Sequence, residues 1–325
     1  MKFLFLNTFL IICSSIVIYY RLEIATKFKI LDYPDNKRKI HTTPTPLLGG
    51  CIIFLFAISN LFYATYASEI SLKLFLILSI LYSSFFLIGI YDDRYLLSPL
   101  KKTVIIIFLL LIFLPLDQSL MINEFTFKDI EKIIFLNQGG LFFTLLSIYF
   151  LFNFLNFADG INGVAISICI FWCIIFLVKS NEINFFIISI IISLIFVLFF
   201  NIKNKLFLGN NGSSVLSIIF GSYFIFSYNI DGQIKCDEIF LLMFIPGIDS
   251  IRVSLQRLYK QQSPFEADKN HLHHLLLKFI KMKYIFLIYA LISAVPFMLT
   301  YLMSTIFSLV ISLIFYMSIF FATNK

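Results

Sequence analysis

The chain has 325 residues, of which 60% are hydrophobic and 13% charged, and its mean hydropathy is +0.95. A water-soluble domain carries about a quarter charged residues, so a soluble globular protein is excluded. The net charge of +7 belongs to no soluble basic domain; this excludes nucleic acid as a partner and leaves anionic headgroups or phosphates.

A helix needs about 20 apolar residues to cross the hydrocarbon, with about 17 as a lower limit. In chain order, apolar runs predict spans near 3–20, 47–66, 72–91, 103–117, 141–157, 164–179, 184–200, 213–228, 238–250, 284–300 and 304–322, the fourth and ninth being short. The runs are continuously apolar rather than alternating, which favours helices over a barrel. The expected fold class is therefore all-α, a polytopic integral membrane protein with about 10–11 transmembrane helices in a single domain over 1–325. The first span follows a lone Lys2 and lacks a small-residue cleavage site before Arg21, so it is expected to stay as an anchor. Cys13, Cys51, Cys169 and Cys173 fall within spans and Cys236 in a short outer loop; small buried hydrophobes are expected rather than disulfides.

With the N-terminus outside, the cytoplasmic segments are 21–46, 92–102, 158–163, 201–212, 251–283 and the tail. They hold 19 of the 25 Lys and Arg residues, a strong positive-inside bias. Four polar clusters fall on that same face. Two adjacent carboxylates, Asp92 and Asp93, close the third span, with Lys102 downstream. Neighbouring helix residues point about 100° apart, so the two acids suit two separate tasks. Asn153 and Asn156 share a helical face and lead into Asp159-Gly160-Ile161-Asn162-Gly163, a polar cluster with almost no loop. Gly209-Asn210-Asn211-Gly212-Ser213-Ser214 opens the eighth span, where exposed N–H groups at a helix start suit an anion. The longest polar segment runs from Asp249 through Arg252 and Arg257 to His271, His273 and His274. His271 and His274 share a helical face. No cysteine lies nearby to complete a zinc site, and with Arg257 and Lys269 close by a phosphate or pyrophosphate site is the more natural reading.

Together these residues resemble the polyprenyl-phosphate N-acetylhexosamine-1-phosphate transferases, also called glycosyltransferase family four. The resemblance runs in order from Arg38 to His274. Arg38-Lys39-Ile40-His41 with Pro44, Pro46, Gly49 and Gly50 resembles the family's first cytoplasmic loop. Asp92-Asp93 with Ser98 and Lys102 is similar to its aspartate-rich motif; Asn153, Asn156, Asp159 and Gly160 to its second motif; His271-Leu272-His273-His274 to its last loop.

The resemblance implies an enzyme of the phosphotransferase type. It would pass a sugar 1-phosphate from a UDP-N-acetylhexosamine to polyprenyl (undecaprenyl) phosphate, giving a lipid diphosphate sugar and UMP. The cofactor implied is Mg2+, with manganese as an alternative. Asp92, Asp93 and Asp159 are the implied catalytic residues, with Asp92 the candidate proton acceptor. Asp93, Asp159 and Asn210 are the implied metal contacts. His41, Lys102, Asn153, Asn156, Asn162, Arg257, His271, His273 and His274 are the implied substrate contacts. Two positions depart from the family pattern, since Asn210 and Asn162 stand where Asp is usual. The implied setting is the plasma or inner membrane with a cytoplasmic active site, and a homodimer is the partner arrangement considered. The branch resembled initiates O-antigen, capsule or teichoic-type polymers. A transporter predicts charges and broken helices at the midplane, often with internal repeats; here the polar residues lie at one interface and no repeat is visible. A lipid phosphatase is the nearer alternative, distinguished by the requirement for a nucleotide sugar.

Overall fold

The computed structural model describes residues 1–34, 43–180, 184–232, 234–263 and 269–323. Arg38, Lys39, Ile40 and His41, and Pro264 to Asp268, lie outside the described residues. In chain order the helices are α1 (Lys2–Tyr19), α2 (Arg21–Phe28), α3 (Gly49–Tyr66), α4 (Leu72–Tyr95), α5 (Pro99–Phe113), α6 (Gly140–Ala158) and α7 (Val164–Lys179). They continue with α8 (Phe185–Asn201), α9 (Gly209–Phe226), α10 (Cys236–Leu242), α11 (Phe244–Tyr259), α12 (Leu272–Leu275), α13 (Met282–Leu299) and α14 (Thr305–Thr323). Two short antiparallel pairs join loops: β1 (Leu31–Asp32) with β2 (Thr45–Pro46), and β3 (Glu124–Phe125) with β4 (Ile134–Phe135).

Among the described residues, eight helices are long and apolar enough to cross a membrane: α1, α3, α4, α5, α6, α9, α13 and α14. The shorter α7 and α8 are also apolar. The protein is thus an all-α polytopic membrane protein, and these ten helices account for ten of the expected spans. The stretch expected as a span over 238–250 is built differently. It breaks at Met243 into α10 and α11. Pro246 sits in the first turn of α11, where a missing N–H costs nothing, whereas continuing one helix through it would sacrifice a bond to an earlier turn. The second piece carries Asp249, Arg252 and Arg257. All five cysteines are free.

Two compact units make up the chain: residues 1–117 with 173–220, and residues 118–172 with 221–325. In the first, a buried polar chain ties three apolar helices together. Asn60 on α3 donates to the Ser189 hydroxyl on α8, which donates to Asn7 on α1. In hydrocarbon such side chains need each other, because no water is available to satisfy them. In the second, the buried indole of Trp172 donates to the Leu242 carbonyl at 3.2 Å, and the rings of Phe154 and Phe224 meet it edge-on. The Tyr228 hydroxyl accepts from the Thr126 N–H at 2.8 Å and donates to the Glu124 carbonyl at 3.0 Å, which pins the β3 strand.

Candidate active site

The first cluster lies in the first unit. Asp92 and Asp93 end α4, and each has its own partners, as their angular separation requires. Asp92 is buried; its Oδ2 pairs with Lys102 Nζ at 2.8 Å, and its Oδ1 accepts the Leu97 N–H at 2.7 Å. Lys102 reaches it from the first turn of α5, whose start at Pro99 is set by a proline suited to the first helical position. The turn between them places Leu96 in the left-handed region, so α4 stops and the chain reverses.

Asp93 points to another element. Its Oδ1 accepts the Asn210 N–H at 2.8 Å, and its Oδ2 accepts the Asn211 N–H at 3.0 Å and the Asn211 side-chain N–H. These are the open donors at the start of α9, where negative charge is favoured. The helix start expected to attract an anion is therefore engaged by the protein's own carboxylate. Close approach makes this possible: a β-carbon at Gly89 on α4 would overlap the backbone of Asn210 and Asn211, and one at Gly50 on α3 would overlap Gly212. The Gly49 and Gly50 N–H groups donate to the Phe207 and Leu208 carbonyls, and the Asn211 side chain donates to the Leu47 carbonyl. The starts of α3 and α9 are thus held as one piece.

The second cluster lies in the second unit. Asp159 follows α6 directly, half-buried, and Gly160 begins the turn into α7. Asn153 donates back to the Tyr149 carbonyl one turn earlier at 2.8 Å. Asn153, Asn156 and Asn162 are all half-buried. The position a β-carbon would take on Gly160 lies 2.9 Å from His273 Nε2 and 3.0 Å from His274 Nε2. The absent side chain is what admits both imidazoles. Phe157, on the last turn of α6, carries the His271 ring at 5.3 Å and the buried Arg257 guanidinium at 5.6 Å. The His271 and His273 rings lie parallel at 5.5 Å, and His273 and His274 are 4.5 Å apart. Burial, then the neighbouring His274 and His271, hold His273 well below the usual histidine range. It is therefore a neutral group.

Behind the histidines stands a network the sequence reading did not single out as a site. Asp249 on α11 is buried, with Arg252, Tyr316, His271 and the Leu272 N–H around it. A local signal existed: an acid three residues before an arginine inside an apolar run. Tyr316, from α14, had none.

Among the described residues, no three His, Cys, Asp or Glu side chains group as a metal cage. Magnesium, however, keeps several waters and commonly takes one or two carboxylates plus substrate phosphates. Asp93 already accepts three N–H bonds, which leaves little lone-pair capacity for a cation. Asp159 is the carboxylate beside the histidine cluster and fits that modest demand.

The sequence profile of "Glycosyl transferase family 4" matches residues 74–228. That stretch contains the Asp92-Asp93, Asn153–Asp159 and Gly209–Ser214 clusters and stops short of the histidines. The chain is 24% identical over 292 residues to the decaprenyl-phosphate N-acetylglucosaminephosphotransferase of Mycobacterium leprae, covering 78% of this chain and 72% of that protein. It is 25% identical over 286 residues to the undecaprenyl-phosphate alpha-N-acetylglucosaminyl 1-phosphate transferase of Escherichia coli K12, covering 82% and 74%. The chain is therefore similar to glycosyl transferase family 4 over residues 74–228, and over most of its length to transferases named for a polyprenyl phosphate and N-acetylglucosamine.

Proposed function

We propose that the protein transfers N-acetylglucosamine 1-phosphate from its UDP-sugar to undecaprenyl phosphate, giving a lipid diphosphate sugar and UMP. This would be the initiating step of a cell-envelope polysaccharide of the O-antigen, capsule or teichoic type. The observation that carries the reading is the buried pair of Lys102 and Asp92 at the end of an apolar helix. An acceptor that is a phosphate on a lipid needs a cation to hold it and a base to take its proton, and this pair offers both. Two relatives named for a polyprenyl-phosphate acceptor and N-acetylglucosamine support the substrates.

Lys102 holds the acceptor phosphate, and Asp92 accepts its proton. The acceptor oxygen attacks the sugar-bearing phosphorus; the diphosphate bond to the nucleotide breaks, and UMP leaves with that bond's electron pair. Arg257, His273 and His274 bind the donor diphosphate through N–H groups, while Asn153, Asn156 and Asn162 bind the donor's neutral groups. His41, from the first cytoplasmic loop, adds a donor contact. When bound, magnesium neutralises charge at the diphosphate, and Asp159 is the residue that would hold it. Asn210 offers a neutral oxygen where the family pattern has an acid. Asp93 serves by fixing the start of α9. The active face is cytoplasmic, in the plasma or inner membrane.

The test supplies isolated membranes with radiolabelled UDP-N-acetylglucosamine and undecaprenyl phosphate, then extracts lipid. Labelled lipid diphosphate and stoichiometric UMP are expected, both abolished by chelation and restored by magnesium. Inorganic phosphate release, or label accumulating inside vesicles without lipid product, would overturn the reading in favour of a phosphatase or a transporter.

A further inference from the structure

Asp249 lies buried in α11 with donors on both oxygens. Oδ1 accepts from Arg252 Nη2 at 2.7 Å and from the Tyr316 hydroxyl at 2.9 Å. Oδ2 accepts the Leu272 N–H at 3.0 Å and faces His271 Nδ1 at 3.0 Å. An ionised carboxylate can only accept, so the proton in the last contact sits on Nδ1. Arg252 already balances the carboxylate charge, so the ring needs no second proton to satisfy it. The other nitrogen, Nε2, is buried and has no hydrogen-bond partner. The ring is not free to turn and find one, because Phe157 and the parallel His273 ring lie against it. Most buried polar side-chain atoms in folded proteins are paired, so a fixed, bare Nε2 in a substrate-binding cluster points to a ligand group.

We propose that Asp249 is a positioning residue for donor recognition: it locks His271 as the Nδ1–H tautomer, so that Nε2 presents a lone pair to a neutral hydroxyl or amide N–H of the sugar donor. His271 therefore does not grip a phosphate oxygen; that task falls to Arg257, His273 and His274. The inference rests on the sugar-phosphate transfer proposed above.

Substituting Asp249→Asn inverts the arrangement. The amide must turn its NH2 either toward the Arg252 cation or toward His271, and the second conflict is the smaller. His271 then accepts at Nδ1 and carries its proton on Nε2, where the donor group also brings a hydrogen. The chain has four histidines, so imidazole 15N spectra of the purified full chain are tractable, with His271→Gln assigning the signal. The expected result is Nδ1–H in the natural protein and Nε2–H in D249N. The KM for UDP-N-acetylglucosamine should rise about tenfold or more, with kcat changed less. Tyr316→Phe removes the bond to Oδ1 and the acceptor of Arg252 Nε but no contact of Oδ2; it should lower the melting temperature while the tautomer stays Nδ1–H. Should D249N not fold, His271→Gln, which keeps a neutral acceptor, should retain more donor affinity than His271→Lys. The proposal falls if the natural protein shows Nε2–H, if D249N switches tautomer without a change in KM, or if the Lys variant binds the donor better. Absence of any lipid product from the natural protein would instead overturn the reaction itself.

Discussion

Gly160 shows how one missing atom shapes the second cluster. Two imidazole nitrogens occupy the space beside it, at 2.9 and 3.0 Å from where a β-carbon would stand. Its φ is not among the positive values, so alanine would strain no backbone there. The effect of Gly160→Ala falls on His273 and His274 instead, which must each retreat by a few tenths of an ångström or more. Displacements of that order at a reacting group are costly, up to about 100-fold for 1 Å. The expected outcome is turnover reduced about tenfold or more with stability changed by less than about 1 kcal/mol. Turnover and melting temperature measured on one preparation decide it; normal turnover would mean that these imidazoles do not serve the reaction.

At the scale of elements, the start of α9 depends on a carboxylate from α4. Asp93→Ala leaves the Asn210 and Asn211 N–H groups without their acceptor in an apolar setting. Loss of such a cap should cost about 2–3 kcal/mol. Asp93→Asn keeps one acceptor oxygen and should cost roughly half as much. Added magnesium should recover neither loss. Thermal unfolding in detergent, with and without magnesium, checks this; full recovery by magnesium would make Asp93 a metal ligand rather than a helix cap. This element also shows what sequence could and could not reveal. Apolar runs are local, so ten of the helices were legible from hydropathy alone. The histidines were legible because three of them lie within four residues. The Asp93 cap was not, because its partners are 117 and 118 residues away and nothing near either end announces the other. The break at Met243 was hidden by the apolar residues on both sides, although Pro246 and the Asp249–Arg252 spacing marked it. Tyr316 could not have been assigned to Asp249 at all, since 67 residues separate them.

For the whole molecule, the sided distribution of Lys and Arg makes a prediction that needs no purified protein. Positions 101 and 260 are exposed and lie on segments expected in the cytoplasm, whereas position 132 is exposed on a segment expected outside. Cysteines introduced as Lys101→Cys and Lys260→Cys should react with a membrane-impermeant thiol reagent only after permeabilisation. Lys132→Cys should react in intact cells. The reverse pattern would turn the orientation over and place the catalytic residues away from a cytoplasmic nucleotide sugar.

Both compact units are discontinuous along the chain, and this bears on how the protein is made. The ribosome completes residues 1–117 early, but the rest of that unit, 173–220, comes only after half a hundred residues of the other. At roughly 5–20 residues per second, Asp93 waits about 6–24 seconds for the N–H groups of α9. Asp92 waits for Lys102 only a second or two at the same rate. The nascent chain therefore carries one settled and one unsettled carboxylate at the edge of the bilayer throughout the insertion of α5 to α8. A ribosome stalled before Gly209 would release a chain whose α4 ends in an unanswered charge, a mark by which membrane quality control could tell an unfinished molecule from a finished one.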